Sequence, residues 1–412
     1  MRFRIASILL ALGLFLVTLE AALRLIPSAI PLEVLEQFEP ELRSRIASGL
    51  KIPTRKDTIL VPRGDGGPAD VQWIYRPGTE VTWALDEPGI VKTVRMDAAG
   101  FCNAASVPAG HRVDLLAIGD SLTFCTAVGS EATWVARIAG ILEASTYNMA
   151  LPGRGLYEYL HLLETFGLAR SPRVVVATIY EGNDFRDAHM YRLSREGRRQ
   201  RDVCPFRSDS ICSIVAGIRD GEPGRRSYAI NFLAGSAWRM AIKSGKREID
   251  FRYQATLADG GVLELNSRNG DRDEVTFAKA LSEGRLGTDV FDEGLQRFRE
   301  LGVRHGFDPL IVYLPSAYTA YRSVARFEDP SIESVMRSYS DRLRAYFAQR
   351  TKELGLPFHD ATPALSAAAT RARASEPVYF PANVHLTNSG HQVVAEEIAT
   401  FLRQRGLLGT LR

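Results

Sequence analysis

The chain has 412 residues, 45% hydrophobic and 24% charged, the composition of a globular protein with a sizeable core. A net charge of +3 is close to balance, so bulk electrostatics do not point to nucleic acid. Four Cys at scattered positions fit neither a zinc-ligand spacing nor a CxxC redox pair, and no repeat period is evident.

Arg2 and Arg4 precede an apolar run, Ile5–Leu19, followed by Glu20 and a second apolar piece, Ala21–Ile26, broken by Arg24. The run is short for a spanning helix, which takes about 20 apolar residues. A cleavable signal peptide is the rival reading, but no small-x-small site follows the run. Residues 1–26 therefore read as an uncleaved membrane signal anchor, with Arg2 and Arg4 inside and Arg24 snorkelling at the far interface. In a bacterium this makes a single-pass inner-membrane protein whose remaining chain is periplasmic. An oxidising compartment permits disulfides. Of the three pairings open to four Cys, Cys102–Cys125 with Cys204–Cys212 is expected; four reduced thiols are the alternative.

Residues 27–110 read as a lead-in, helical over 31–50. Alternating runs at Val71–Tyr75, Glu80–Trp83 and Ile90–Val94, broken by Pro77-Gly78 and Pro88-Gly89, then predict a small β-rich extension. From His111 strand and helix patterns alternate, which argues for a parallel sheet covered on both faces. The strands are Val113–Ile118, Thr146–Met149, Val174–Tyr180, Pro309–Leu314 and a poor one at Pro357–His359. An amphipathic segment spans Thr133–Leu142, and a final helix runs through Glu397 and Leu402. Ligands of open α/β sheets sit at the carboxyl ends of the strands. The first strand here ends in Gly119-Asp120-Ser121-Leu122, the second at Gly153, and the third in Gly182-Asn183-Asp184. Each block alone is also good turn chemistry, and Asn183 suits an Asx turn.

Together with a late His385-Leu386, these blocks resemble, in order, the four blocks of the SGNH (GDSL) hydrolase superfamily. The phrases Tyr180-Glu-Gly-Asn-Asp-Phe185 and Phe380-Pro-x-x-x-His385-Leu-Thr-x-x-Gly390-His391 resemble bacterial envelope members. The resemblance covers about 113–402 apart from a long insertion. It implies a three-layer α/β/α flavodoxin-like parallel sheet over 111–408. It also implies Ser121 as nucleophile and His385 as base. The backbone N–H groups of Ser121 and Gly153 and the Asn183 amide would form the oxyanion hole.

The family carries an Asp two or three residues before this His, where the chain has Asn383 and Ala382. Asn383 can orient His385 if its carbonyl oxygen accepts from Nδ1–H, but it supplies no charge. A working Ser–His dyad, an Asp from elsewhere and a degenerate binding domain all remain open. Asp360 is the first substitute, with an N-cap as its competing role. Asp120 is expected to brace the nucleophile turn, and His391 to be a packing or surface residue. Glu181, Asp184 and Asp187 are expected to be loop anchors or substrate contacts. The insertion at 186–289 carries a basic cluster, Arg195–Arg201, both later Cys, Phe251-Arg-Tyr253 and the turn Asp259-Gly-Gly261. It reads as a lid or platform facing anionic glycan or lipid headgroups, or as a solvated loop.

The function implied is a membrane-tethered Ser esterase that removes acyl groups, O-acetyl foremost, from an envelope carbohydrate or lipid. It needs no metal or organic cofactor. An O-acyltransferase with the same site and an inactive glycan-binding scaffold are the alternatives.

Overall fold

A computed structural model describes residues 2–35, 38, 40–47, 56–61, 70–84, 91–104, 111–195, 214, 217, 221, 224, 226–244, 253–265, 271–327, 329–383 and 385–408. In chain order the first elements are α1 (Arg2–Leu25), α2 (Leu32–Leu35), α3 (Pro40–Ala47), β1 (Lys56–Val61), β2 (Asp70–Tyr75), β3 (Glu80–Ala84) and β4 (Val91–Arg95). Next come β5 (Leu115–Ile118), α4 (Trp134–Leu142), β6 (Thr146–Asn148), α5 (Leu156–Leu162), β7 (Val174–Tyr180), α6 (Asp184–Arg195) and α7 (Tyr228–Ser244). Then follow β8 (Tyr253–Thr256), β9 (Val262–Leu265), α8 (Asp271–Ser282), α9 (Asp292–His305), β10 (Asp308–Leu314) and α10 (Ala317–Tyr321). The last are β11 (Ala325–Phe327), α11 (Pro330–Leu354), β12 (Phe358–Asp360), α12 (Thr362–Arg371) and α13 (Asn388–Gln404).

The chain forms two compact units: Met1–Ile74 with Leu193–Ile249, and Tyr75–Arg192 with Asp250–Arg412. In the first, Leu23, Ile30, Val34, Leu35, Phe38, Leu42 and Ile46 make an apolar cluster. Glu20 of α1 accepts from Ser227 Oγ and the Ala229 N–H, each at 2.8 Å, and pairs with Arg24. The last turns of α1 are thereby fastened to the start of α7. That leaves about 15 apolar residues, roughly 22 Å of helix against a hydrocarbon core of about 30 Å. Among the described residues no helix is long and apolar enough to cross a membrane, where the sequence reading expected a spanning anchor. Leu10, Leu12, Leu14, Phe15 and Val17 stay exposed.

The second unit is built on a five-stranded sheet in the order β12-β10-β7-β5-β6, with every pairing parallel. Both β5 and β7 are buried along their whole length. Val174-Val-Val-Ala-Thr-Ile-Tyr180 shows why: β-branched and aromatic side chains suit a strand packed on both faces. The chain moves to one side from β5 to β6, then returns past β5 to β7. Since βαβ crossovers are right-handed, this reversal puts α4 on the opposite face from α5, α9 and α11. Accordingly α4 packs on α13 and α13 on α12, while α5 packs on α9 and α9 on α11. The result is the expected three-layer α/β/α arrangement. The expected amphipathic segment is α4, which Thr133 caps by accepting the Ala136 N–H at 3.2 Å.

The second unit also holds two smaller antiparallel sheets, the β3–β4 pair and β11-β8-β9, and β1 pairs with β2 in a separate sheet. Asp259 Oδ1 accepts the Gly261 N–H at 3.0 Å and closes the β8–β9 turn. Before β5 the segment 97–103 folds around the Asp97 carboxylate, which accepts from Ala99 N, Phe101 N, Asn103 Nδ2 and Tyr147 Oη at 2.7–3.0 Å. Asn103 then lies along the edge strand β6. Its Oδ1 accepts the Asn148 N–H at 2.7 Å, and its Nδ2 donates to the Asn148 carbonyl at 3.1 Å. Cys102 is bonded to Cys125, as expected, and crosslinks this segment to the turn after β5. Cys204, Cys212, Arg198, Arg199, Arg201 and Phe251 lie outside the described residues.

Candidate active site

The turn after β5 is shaped by close packing. A Cβ on Gly119 would meet Thr178 Oγ1 at 2.1 Å, so no larger residue fits where the strand stops. Asp120 is fully buried and braces the turn: its Oδ1 accepts the Leu122 N–H at 2.9 Å, and its carbonyl accepts from Thr123 and Phe124. Burial pushes the Asp120 carboxyl up to about 7, opposed by the Leu122 N–H and reinforced by the charge of Asp187. Its Oδ2 has no partner among the described residues. Ser121 follows, half-buried.

The loop after β6 is tied to this turn, with the Leu151 N–H donating to the Gly119 carbonyl at 3.1 Å. Gly153 is exposed in the left-handed region at φ +69, where glycine is favoured, and nothing stands within 4 Å of a Cβ built on it. Two residues on, Gly155 donates to Glu158 Oε2 at 3.0 Å.

After β7 the chain is anchored by two buried carboxyls. Glu181 accepts from Tyr313 Oη, Ser316 Oγ, Thr319 Oγ1 and Ser340 Oγ at 2.5–3.1 Å. Asp184 accepts from Tyr159 Oη at 2.7 Å and from the Tyr180 N–H at 2.9 Å. Between them, the amide of Asn183 donates to Asp187 Oδ2 at 2.7 Å. An Asx turn would have this side chain accepting from the backbone instead.

The sheet order reverses between β5 and β7, and doubly wound folds hold their ligands at such a switch point. Ser121 and Asn183 follow these two strands, and Gly153 follows β6 on the far side of β5.

His385 comes from a hairpin in which Tyr379 pairs with Leu386 and the Phe380 N–H donates to the His385 carbonyl at 2.9 Å. Tyr379 Oη donates to the Pro315 carbonyl at 2.7 Å, which holds the hairpin at the carboxyl end of β10. A Cβ on Gly390 would meet the Val378 carbonyl at 2.3 Å, so glycine is required where α13 presses on this hairpin. His385 Nδ1 faces both carbonyl oxygens of the buried Asn383, the main-chain one at 2.7 Å and the side-chain one. Carbonyl oxygens only accept, so the proton resides on Nδ1 and Nε2 keeps its lone pair. Burial lowers the His385 imidazole to about 4, with the Asn383 main-chain carbonyl working the other way.

Among the described residues no carboxylate pairs with His385. Asp360 is engaged elsewhere: its Oδ1 accepts the Thr362 N–H at 2.9 Å, and Arg344 Nε donates to its Oδ2 at 2.8 Å. It accepts from the first turn of α12, but the N-cap position expected for it is held by Ala361. His391 is buried packing, its Nδ1 accepting the Trp134 N–H at 3.2 Å, so that α13 docks on the helix that follows Ser121. Neither Ser121 Oγ nor His385 Nε2 makes a hydrogen bond to another described residue. Catalytic hydrogen bonds are often long before substrate binds. Asp187, read from sequence only as an anchor or contact, holds a candidate oxyanion donor. Its signal was the i, i+4 spacing from Asn183 at the head of a helix.

No family model matches the sequence, and no curated protein matches it. Among the solved structures it resembles is Axe2, an acetylxylan esterase from Geobacillus stearothermophilus, at 13% identity and TM-score 0.36 over 72% of this chain and 96% of that one. Another is a G-D-S-L family protein from Desulfitobacterium hafniense DCB-2, at 14% identity and TM-score 0.32 over 70% and 98%. A third is TesA, at 10% identity and TM-score 0.34 over 71% and 99%. Likenesses of this size carry nothing about chemistry, and the fold rests on the strand order given above.

Proposed function

We propose that the chain is a serine esterase of the SGNH type, using Ser121 as nucleophile and His385 as base. One observation carries this reading: the carbonyl oxygens of Asn383 accept a hydrogen bond from Nδ1–H of His385, which is the tautomer a general base needs, with Nε2 left to receive a proton. Ser121 Oγ would attack an ester carbonyl while its proton passes to Nε2. The backbone N–H groups of Ser121 and Gly153 and the Asn183 amide would receive the developing oxyanion. Collapse of the tetrahedral species expels the alcohol, which takes the proton from His385. Water then enters by the same route and releases the acid. O-acetyl groups on an envelope carbohydrate or lipid are the proposed substrate. The Cys102–Cys125 bond supports an oxidising, extracytoplasmic setting. The exposed Leu10, Leu12, Leu14, Phe15 and Val17 support tethering to a bilayer.

A second reading, a glycan-binding scaffold without turnover, is favoured by the absence of a carboxylate on His385 among the described residues. A fluorophosphonate probe separates the two. Labelling that disappears in Ser121→Ala is expected of the esterase, together with loss of aryl acetate hydrolysis. No labelling of folded protein overturns it. Turnover that depends on an added sugar acceptor instead of water would mark an O-acyltransferase.

A further inference from the structure

We propose that Asp187 is a positioning residue that orients the Asn183 amide so that one N–H points to the substrate oxyanion; this rests on the esterase reading. An amide side chain can turn either its oxygen or its nitrogen toward the reacting carbonyl, and only the nitrogen end stabilises negative charge. A carboxylate accepts and never donates, so the 2.7 Å contact to Asp187 Oδ2 selects the nitrogen end of Asn183. One amide hydrogen is used there. The other, on the same nitrogen, has no partner among the described residues.

Asp187 is itself held on three sides. Its N–H donates to the Asn183 carbonyl at 2.9 Å, one turn into α6. Arg186 Nε donates to its Oδ1 at 2.7 Å and offsets its charge beside a developing oxyanion. Gly155 makes room for it: a Cβ there would meet Asp187 Cβ at 2.9 Å. The side chain therefore lies between the Asn183 amide and the loop that carries Gly153, two of the three proposed sources of oxyanion donors.

The test is a double-mutant cycle on aryl acetate hydrolysis, using the full chain with Asp187→Ala, Asn183→Ala and the pair. Loss of a whole oxyanion donor costs about 10²–10³ in kcat. Asp187→Ala is expected to cost roughly 10- to 100-fold in kcat, with KM within about twofold, because the donor is misaimed while ground-state binding persists. In the Asn183→Ala background it should cost nothing further. Asp187→Asn, which keeps an acceptor oxygen, should recover most of the rate. If Asp187→Ala fails to fold, Asp187→Ser carries the same comparison. An unchanged kcat, or an equal loss in both backgrounds, overturns the proposal while leaving the esterase reading in place. Absence of both hydrolysis and fluorophosphonate labelling in the parent chain overturns both.

Discussion

Two stretches of the same sheet edge treat buried polar atoms in opposite ways. On the β7–β10 side Glu181 gathers four hydroxyl donors, and its carbonyl accepts from Tyr339 Oη at 3.1 Å. Around β5, the buried Asp120 Oδ2 has no partner among the described residues, and the half-buried Ser121 Oγ makes no hydrogen bond to any of them. A buried group without a partner costs roughly 1–3 kcal/mol. The first stretch is built for stability, whereas the second keeps unmet capacity where a substrate would arrive.

The sharpest way to break this contrast is to remove the acceptor on the satisfied side. Glu181→Leu strands the hydroxyls of Tyr313, Ser316, Thr319 and Ser340. At the cost per group just given, chemical denaturation should show a loss above about 4 kcal/mol. Glu181→Gln, which keeps one acceptor oxygen, should lose less.

The open side should respond with the other sign. Asp120 keeps its proton up to about pH 7 in the folded chain, against an ordinary value of 3.8. Between those limits the folded state binds more protons than the unfolded one, so stability falls as pH rises and the penalty is complete above about 7. Asp120→Asn removes that titration. Its melting temperature relative to the parent should climb from pH 4 to pH 7, with an upper bound of roughly 4 kcal/mol at 1.36 kcal/mol per unit. A difference independent of pH would contradict this assignment.

A smaller effect is expected at His385. With its imidazole lowered to about 4, the neutral base persists well below the ordinary value of 6.5, so the acid limb of kcat/KM should fall near pH 4. The unfolded chain takes that proton below about 6.5 and the folded one does not, so this group withdraws stability as pH drops from about 6.5 toward 4. Asn383→Asp adds a negative charge beside Nδ1. It should move the limb upward by about 1–3 units and raise kcat roughly tenfold or more, by stabilising imidazolium. Both are read from a pH–rate profile.

The sheet was legible because its strands are buried apolar runs. Val174–Tyr180 agrees to the residue, and β5 begins at Leu115, two residues after the expected start. Val113 and Asp114 turn their N–H groups to Arg170 and Ser145 instead of joining the ladder. The three strand-end blocks were legible for the same reason. Long-range polar contacts were not. Nothing local to Ile5–Leu19 announces that Glu20 is held by Ser227, 207 residues away. Nor does the Asn383 substitution say which end of its amide faces the ring.

Asn103 has a consequence for how the protein behaves in concentrated solution. By answering both main-chain groups of Asn148 it stands in for a neighbouring strand and blunts the rim of the sheet. An unblunted rim is a template on which another chain can add by backbone pairing. Replacing this one side chain should therefore show itself as a tendency to self-associate through β6.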